Sequence, residues 1–71
     1  MISFITSLNR NNKDDKDWIK FLHCVFNHDI PARYSKEGEA IFTVKEEHKE
    51  RFLSYCYRRK ILCGEINEVS N

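Results

Sequence analysis

The chain has 71 residues, of which 41% are hydrophobic and 13% aromatic, and its twelve lysines and arginines nearly balance its eleven aspartates and glutamates. A chain this short holds one core, and a net charge of +1 argues against a strongly basic nucleic-acid coat protein and an acidic DNA mimic. No apolar run reaches the roughly 18 residues of a membrane span and no signal peptide is recognisable, so we expect one cytoplasmic domain over residues 1–71 with a flexible tail at 67–71.

The first half of the chain predicts a strand followed by a helix. Residues 2–8 alternate in the way that is typical of a half-buried strand. Asp14 or Asp15 is expected to cap the helix that follows, and Asn27 is expected to close it in a left-handed conformation. The predicted buried stripe of this helix has the spacing i, i+3, i+4 and i+7, and it consists of Trp18, Phe21, Leu22 and Val25.

The second half predicts a hairpin, a second helix and a short last strand. The hairpin consists of the extended runs 30–35 and 39–44, joined by a turn in which Gly38 takes a positive φ. Acidic residues early and basic residues late predict a helix over 45–60, and residues 61–66 predict the last strand. The order β-α-β-β-α-β predicts a small ferredoxin-like α+β fold, with an antiparallel sheet and both helices on one face.

No arrangement of residues indicates catalysis, a bound metal or a cofactor. The three cysteines, Cys24, Cys56 and Cys63, lack the short spacing of a zinc knuckle, and their odd number fits reduced thiols better than a disulfide framework. The paired carboxylates lie where helix N-termini attract negative charge. With two glycines in the chain, no phosphate-binding loop is present. We therefore expect a protein that is not an enzyme and has no cofactor.

The sheet offers the first candidate binding surface. Alternation places one side of each strand toward the helices and leaves the other side open. The open side is rich in hydroxyl groups with two isoleucines, and it is either solvated or an interface. Its predicted partner-binding residues are Ile5, Arg33, Ile41 and Thr43.

The second candidate surface is the cluster Arg58, Arg59 and Lys60, which lies beside two tyrosines and is predicted to bind nucleic acid or an acidic partner. Basic groups bind phosphate and aromatic rings stack on bases, although the helix dipole explains the same charges equally well. The stacking rings that an RRM-type sheet would need are replaced by Glu39 and Ile41.

By exclusion, we expect a small non-catalytic binding or inhibitory protein that acts through contact with another protein or with itself. The composition favours amino acids with AT-rich codons, which indicates an AT-rich genome such as that of a low-GC bacterium or one of its viruses. We expect a phage or mobile element as the source. The alternative is a nucleic-acid-binding regulatory module that uses the basic end of the second helix, with Arg10 and Lys13 as further candidate contacts.

Overall fold

The computed structural model describes residues 1–66 and contains four strands and two α-helices. The elements are β1 (Ile2–Asn9), α1 (Lys13–Val25), β2 (Ala32–Tyr34), β3 (Glu39–Val44), α2 (Lys49–Arg58) and β4 (Cys63–Ile66). The strands form one antiparallel sheet in the order β2-β3-β1-β4, which confirms the predicted ferredoxin-like α+β fold. The predicted tail at 67–71 lies outside the described residues.

Phenylalanines from both layers form the centre of the core. Phe52 of α2 is fully buried, and its ring lies 5.5 Å from that of Phe4 and 5.3 Å from that of Phe42, measured between centroids. Phe26, which follows α1, lies 6.3 Å from Phe52. Phe52 therefore joins both central strands to the two helices.

Helix α1 is capped by a different residue from the one that its acidic run predicts. The cap is Asn12, whose backbone is extended and whose side chain accepts a hydrogen bond from the Asp15 amide at 3.1 Å. Asp15 lies three residues inside the helix, and its carboxylate accepts a hydrogen bond from the Asn9 amide at 3.0 Å. The prediction of Asp14 or Asp15 as the cap is therefore wrong. The acidic side chains instead occupy the first turn, where they favour the positive end of the helix.

The buried stripe of α1 is rotated from the predicted one. Ile19, Leu22 and the following Phe26 are buried, whereas Phe21 is 41% exposed. Phe21 stacks on Trp18 with the centroids 4.6 Å apart and meets Tyr55 of α2 edge-on at 5.8 Å. These rings connect the solvent-facing edges of the two helices. A side chain at the border of the buried stripe lies nearer to the neighbouring helix than to the sheet.

Helix α2 is shorter than predicted at both ends. A 3-10 turn, Glu46–His48, precedes it, and the left-handed Lys60 follows it with φ 56°. The Ile61 amide then donates to the Cys56 carbonyl at 2.9 Å, which closes the helix and leads the chain into β4.

Thr6 is buried at an irregularity in β1. The register between β1 and β3 shifts between Ile5 and Asn9. The Thr6 hydroxyl donates to the Ala40 carbonyl at 2.9 Å and accepts from the Leu8 amide at 3.2 Å. The side chain therefore satisfies backbone groups at a point where the regular ladder is interrupted.

Asp29 ties the loop after α1 to the approach to α2. As predicted, Asn27 is left-handed, with φ 53°. Two residues later, the Asp29 carboxylate lies 3.0 Å from both Lys45 Nζ and His48 Nε2. The hydrogen bond from Lys45, followed by that from His48, holds the pKa of Asp29 below its ordinary value.

We predict that Thr6→Val destabilises the fold by about 1–3 kcal/mol, because it preserves the shape of the side chain but leaves buried backbone groups without a partner. Urea unfolding measures the loss. The matched control is Thr43→Val at a half-exposed site of β3, which should cost much less. Equal losses for the two variants would contradict the role given to the Thr6 hydroxyl.

We also predict that Asp29→Asn lowers stability near about pH 6 and that the difference from the native chain shrinks toward about pH 2. The folded pKa of Asp29 lies below the unfolded value of about 3.9. The contacts of the carboxylate therefore stabilise the fold above that value, and they are lost as the pH falls through the folded pKa. Urea unfolding across this pH range measures the effect, and a difference that did not change with pH would contradict it.

Candidate functional site

Three of the four residues predicted to bind a partner lie in one row across the open face of the sheet. Arg33 is paired with Ile41, Ile41 with Ile5, and Ile5 with Gly64, so the row crosses all four strands. Thr43 lies in the neighbouring row. Ile41 is only 8% exposed, whereas Ile5 is half-buried, so the accessible apolar surface shifts toward β4.

A hollow of about 360 Å³ opens at the β4 end of this row, and we call it the open-face hollow. Its lining includes Ile5, Ser7, Leu62 and Gly64. Gly64 contributes no side chain, and a Cβ atom built there would lie 4.0 Å from the Ile5 methyl carbon Cγ2. The absent side chain therefore leaves Ile5 accessible. Leu62, at the rim, is 79% exposed.

A second hollow, of about 380 Å³, lies on the other side of the same strand, between α2 and the start of β4. We call it the helix-side hollow. Its lining includes Leu53, Cys56, Tyr57 and Ile61, together with Leu62 and Cys63, which the two hollows share. Tyr57 is 78% exposed. Two large apolar side chains thus stand in solvent beside two adjoining hollows.

Strand β4 forms an edge of the sheet. Within residues 1–66 it pairs only with β1. The Ser7 amide donates to the Leu62 carbonyl at 2.9 Å, and the Leu62 amide donates to Ser7 Oγ at 3.1 Å. The alternation of an antiparallel ladder then turns the backbone groups of Gly64 toward β1 and those of Cys63 and Glu65 toward the free edge.

Cys56 and Cys63 form a thiol pair in the lining of the helix-side hollow. The hydrogen bond between the two side chains, followed by burial, raises the pKa of Cys56. The same bond lowers the pKa of Cys63 and outweighs the effect of burial. These directions fit a Cys56 thiol that donates to the Cys63 sulfur. This pair is not visible in the sequence, because the seven-residue spacing brings the two thiols together only once the helix has ended and the chain has reversed into β4.

The predicted basic cluster does not converge on one site. The Arg58 guanidinium lies 5.5 Å from the centre of the Tyr55 ring, and the Arg59 guanidinium lies 5.1 Å from that of Trp18. Lys60 lines the helix-side hollow instead. The two arginines therefore cover aromatic rings along the rim of the helices.

Residues 1–66 contain neither a metal-binding group of side chains nor a membrane-spanning helix. This part of the chain holds no group of three or more histidine, cysteine, aspartate or glutamate side chains that could bind a metal ion. It also contains no helix that is long and apolar enough to cross a membrane.

We predict that Cys56→Ala slows the alkylation of Cys63 by iodoacetamide severalfold near about pH 7.5, because loss of the hydrogen bond lets the pKa of Cys63 rise toward the ordinary value of about 8.5. Cys56→Ala is compared with its parent, and both carry Cys24→Ser, because Cys24 is exposed and reacts independently. Mass spectrometry of the labelled peptides follows the rate at Cys63. An unchanged rate would contradict the thiol hydrogen bond.

Comparison with protein-family models, with curated proteins and with solved structures gives no match for this chain. Its function is therefore inferred from the geometry of the residues described above.

Proposed function

We propose that the protein is a non-catalytic docking protein, which binds an extended segment of a partner protein as a fifth strand alongside β4. The observation that carries this proposal is the coincidence of a free strand edge with an accessible hollow on each of its two faces. Added strands of this kind gain affinity from main-chain hydrogen bonds and specificity from hollows that receive alternate side chains.

The two hollows match the geometry of an added strand. Consecutive side chains of a strand point to opposite faces of the sheet. A partner side chain opposite Gly64 would enter the open-face hollow, and its neighbours would point into the helix-side hollow. Leu62 and Tyr57 would then be covered by the partner, which accounts for the exposure of two large apolar side chains at this end of the protein.

The edge formed by β4 is also poorly protected against pairing. Natural edge strands are commonly blocked by lysine, proline or extreme shortness. The opposite edge, β2, has three residues and follows Pro31, whereas β4 has four residues with a single charged side chain, Glu65. A free edge of this kind invites association, so its retention favours a binding role.

Of the residues predicted on the open face, Ile5 has the most direct part in this proposal, because it lines the open-face hollow. Arg33, Ile41 and Thr43 lie farther across the sheet and would contact a partner that extends beyond the edge. An inhibitory role, a phage or mobile-element source and a cytoplasmic location remain part of the proposal. The three reduced thiols fit that location.

We predict that Glu65→Pro weakens peptide binding at least tenfold while the fold persists. The peptides are selected on the native protein from a displayed library of unstructured peptides of about ten residues. The selected binders should carry apolar side chains at neighbouring positions. Proline removes the outward Glu65 amide but no hydrogen bond to β1. The control, Glu65→Gln, removes the same charge, keeps the amide and should bind as the native chain does.

Thermal unfolding of both variants establishes that the fold is intact. If Glu65→Pro bound the selected peptides as tightly as Glu65→Gln, or if the library gave no binders at all, docking by strand addition to β4 would be contradicted.

A further inference from the structure

A basic groove of about 480 Å³ lies away from the β4 edge, between α1 and the ends of β1 and β2. Four cationic side chains line it, namely Arg10, Lys13, Lys16 and Lys20, with Asp17 as the one carboxylate in the lining. The chain as a whole has a net charge of +1, so this groove concentrates positive charge that the rest of the surface balances.

The three lysines form a row along one face of α1. Their spacing of i, i+3 and i+7 keeps them on one side of the helix, and the row from Lys13 to Lys20 is about 10 Å long at about 1.5 Å per residue. Within residues 1–66, none of the three lysines is held in an ion pair. Their ammonium groups are therefore available to an external anion.

Arg10 completes the groove from the opposite wall and is held there by the packing of two turns. Its amide donates to the Gly38 carbonyl at 2.9 Å, and the Asn9 side chain donates to the Glu37 carbonyl at 2.9 Å. Gly38 has φ 91°, and a Cβ atom built on it would lie 2.9 Å from Asn9 Oδ1, so only glycine allows this close approach. The Arg10 guanidinium lies 5.5 Å from the centre of the Tyr34 ring.

We infer that this groove binds single-stranded nucleic acid, with the lysine row along the phosphate backbone. A row of cations matches a ligand with repeated charges better than a single phosphate group, around which cations would cluster. Tyr34 is 38% exposed in the lining, and its ring, together with the Arg10 guanidinium that lies over it, offers planar groups on which an unpaired base can stack. An acidic protein segment would use the charges but not the ring, so nucleic acid is the favoured ligand.

Of the cations predicted to bind nucleic acid, Arg10 and Lys13 line this groove, whereas the cluster at the basic end of α2 lies outside it. The two arginines of that cluster lie over different rings, those of Tyr55 and Trp18, whereas the cations of the α1 groove share one concave surface. The groove is also independent of the docking edge at β4, since the hollows there have none of its lining residues.

The test is fluorescence anisotropy with a labelled oligothymidylate of about 12 nucleotides, between about 50 and 200 mM salt. Each cation that binds phosphate contributes about 0.7 to the slope of log affinity against log salt, so four cations give a slope of about −2.8. The Lys16→Gln, Lys20→Gln double variant should lower the affinity at least tenfold and reduce the slope to about −1.4. Arg58→Gln with Lys60→Gln removes the same charge elsewhere and should change little.

Four results would overturn the inference. One is equal loss of affinity in the Arg58→Gln, Lys60→Gln control, which would return the contact to the end of α2. Another is binding of polyglutamate as tight as that of the oligonucleotide, which would make an acidic protein the ligand. The third is tighter binding of a duplex of the same length, in which no base can reach Tyr34. The last is no binding at about 100 µM in low salt, the weak end of non-specific affinity.

Discussion

Phe52 is the residue on which the rest of the arrangement depends, because it packs at once against both central strands and against the end of α1. This contact fixes where α2 lies over the sheet. Leu53, Cys56 and Tyr57 follow within the next turn or so, and their position beside β4 is set by the packing of Phe52. The helix-side hollow is therefore a consequence of the core, and a rigid core presents it in a defined place.

The end of α2 and the start of β4 form a compact unit, which closes the helix and also forms the edge at which we propose that a partner binds. The left-handed Lys60 and the hydrogen bond from Ile61 to Cys56 reverse the chain within a few residues, which brings Cys63 against Cys56. Gly64 weakens β4, in which it lies, but leaves the surface over Ile5 open. A small protein has little stability to spare, so an exposed edge with Leu62 in solvent is a cost that the proposed binding role would explain.

The order of the elements follows from local patterns that a sequence displays well: alternation in β1, charge polarity in α2, and Gly38 in the hairpin turn. The facing of α1 could not be read in the same way. Trp18, Phe21 and Val25 form as regular an apolar stripe as Ile19 and Phe26. Which of the two stripes faces the core depends on the contacts that the aromatic rings make with α2. The row that joins Ile5 to Arg33 and Ile41 was predictable as one face of a sheet. The burial of Ile41, the hollow over Gly64 and the α1 groove depend on strand order and side-chain packing, which periodicity does not encode.

The central claim is that a partner segment pairs with the free edge of β4, and amide hydrogen exchange measured by NMR tests it most directly. The outward amides of Cys63 and Glu65 should exchange quickly in the free protein. They should become protected at least tenfold when a selected peptide is bound, because each donates to the backbone of an added strand. The amides of Gly64 and Ile66, which face β1, should change much less. Bound peptide that left Cys63 and Glu65 unprotected would contradict the account.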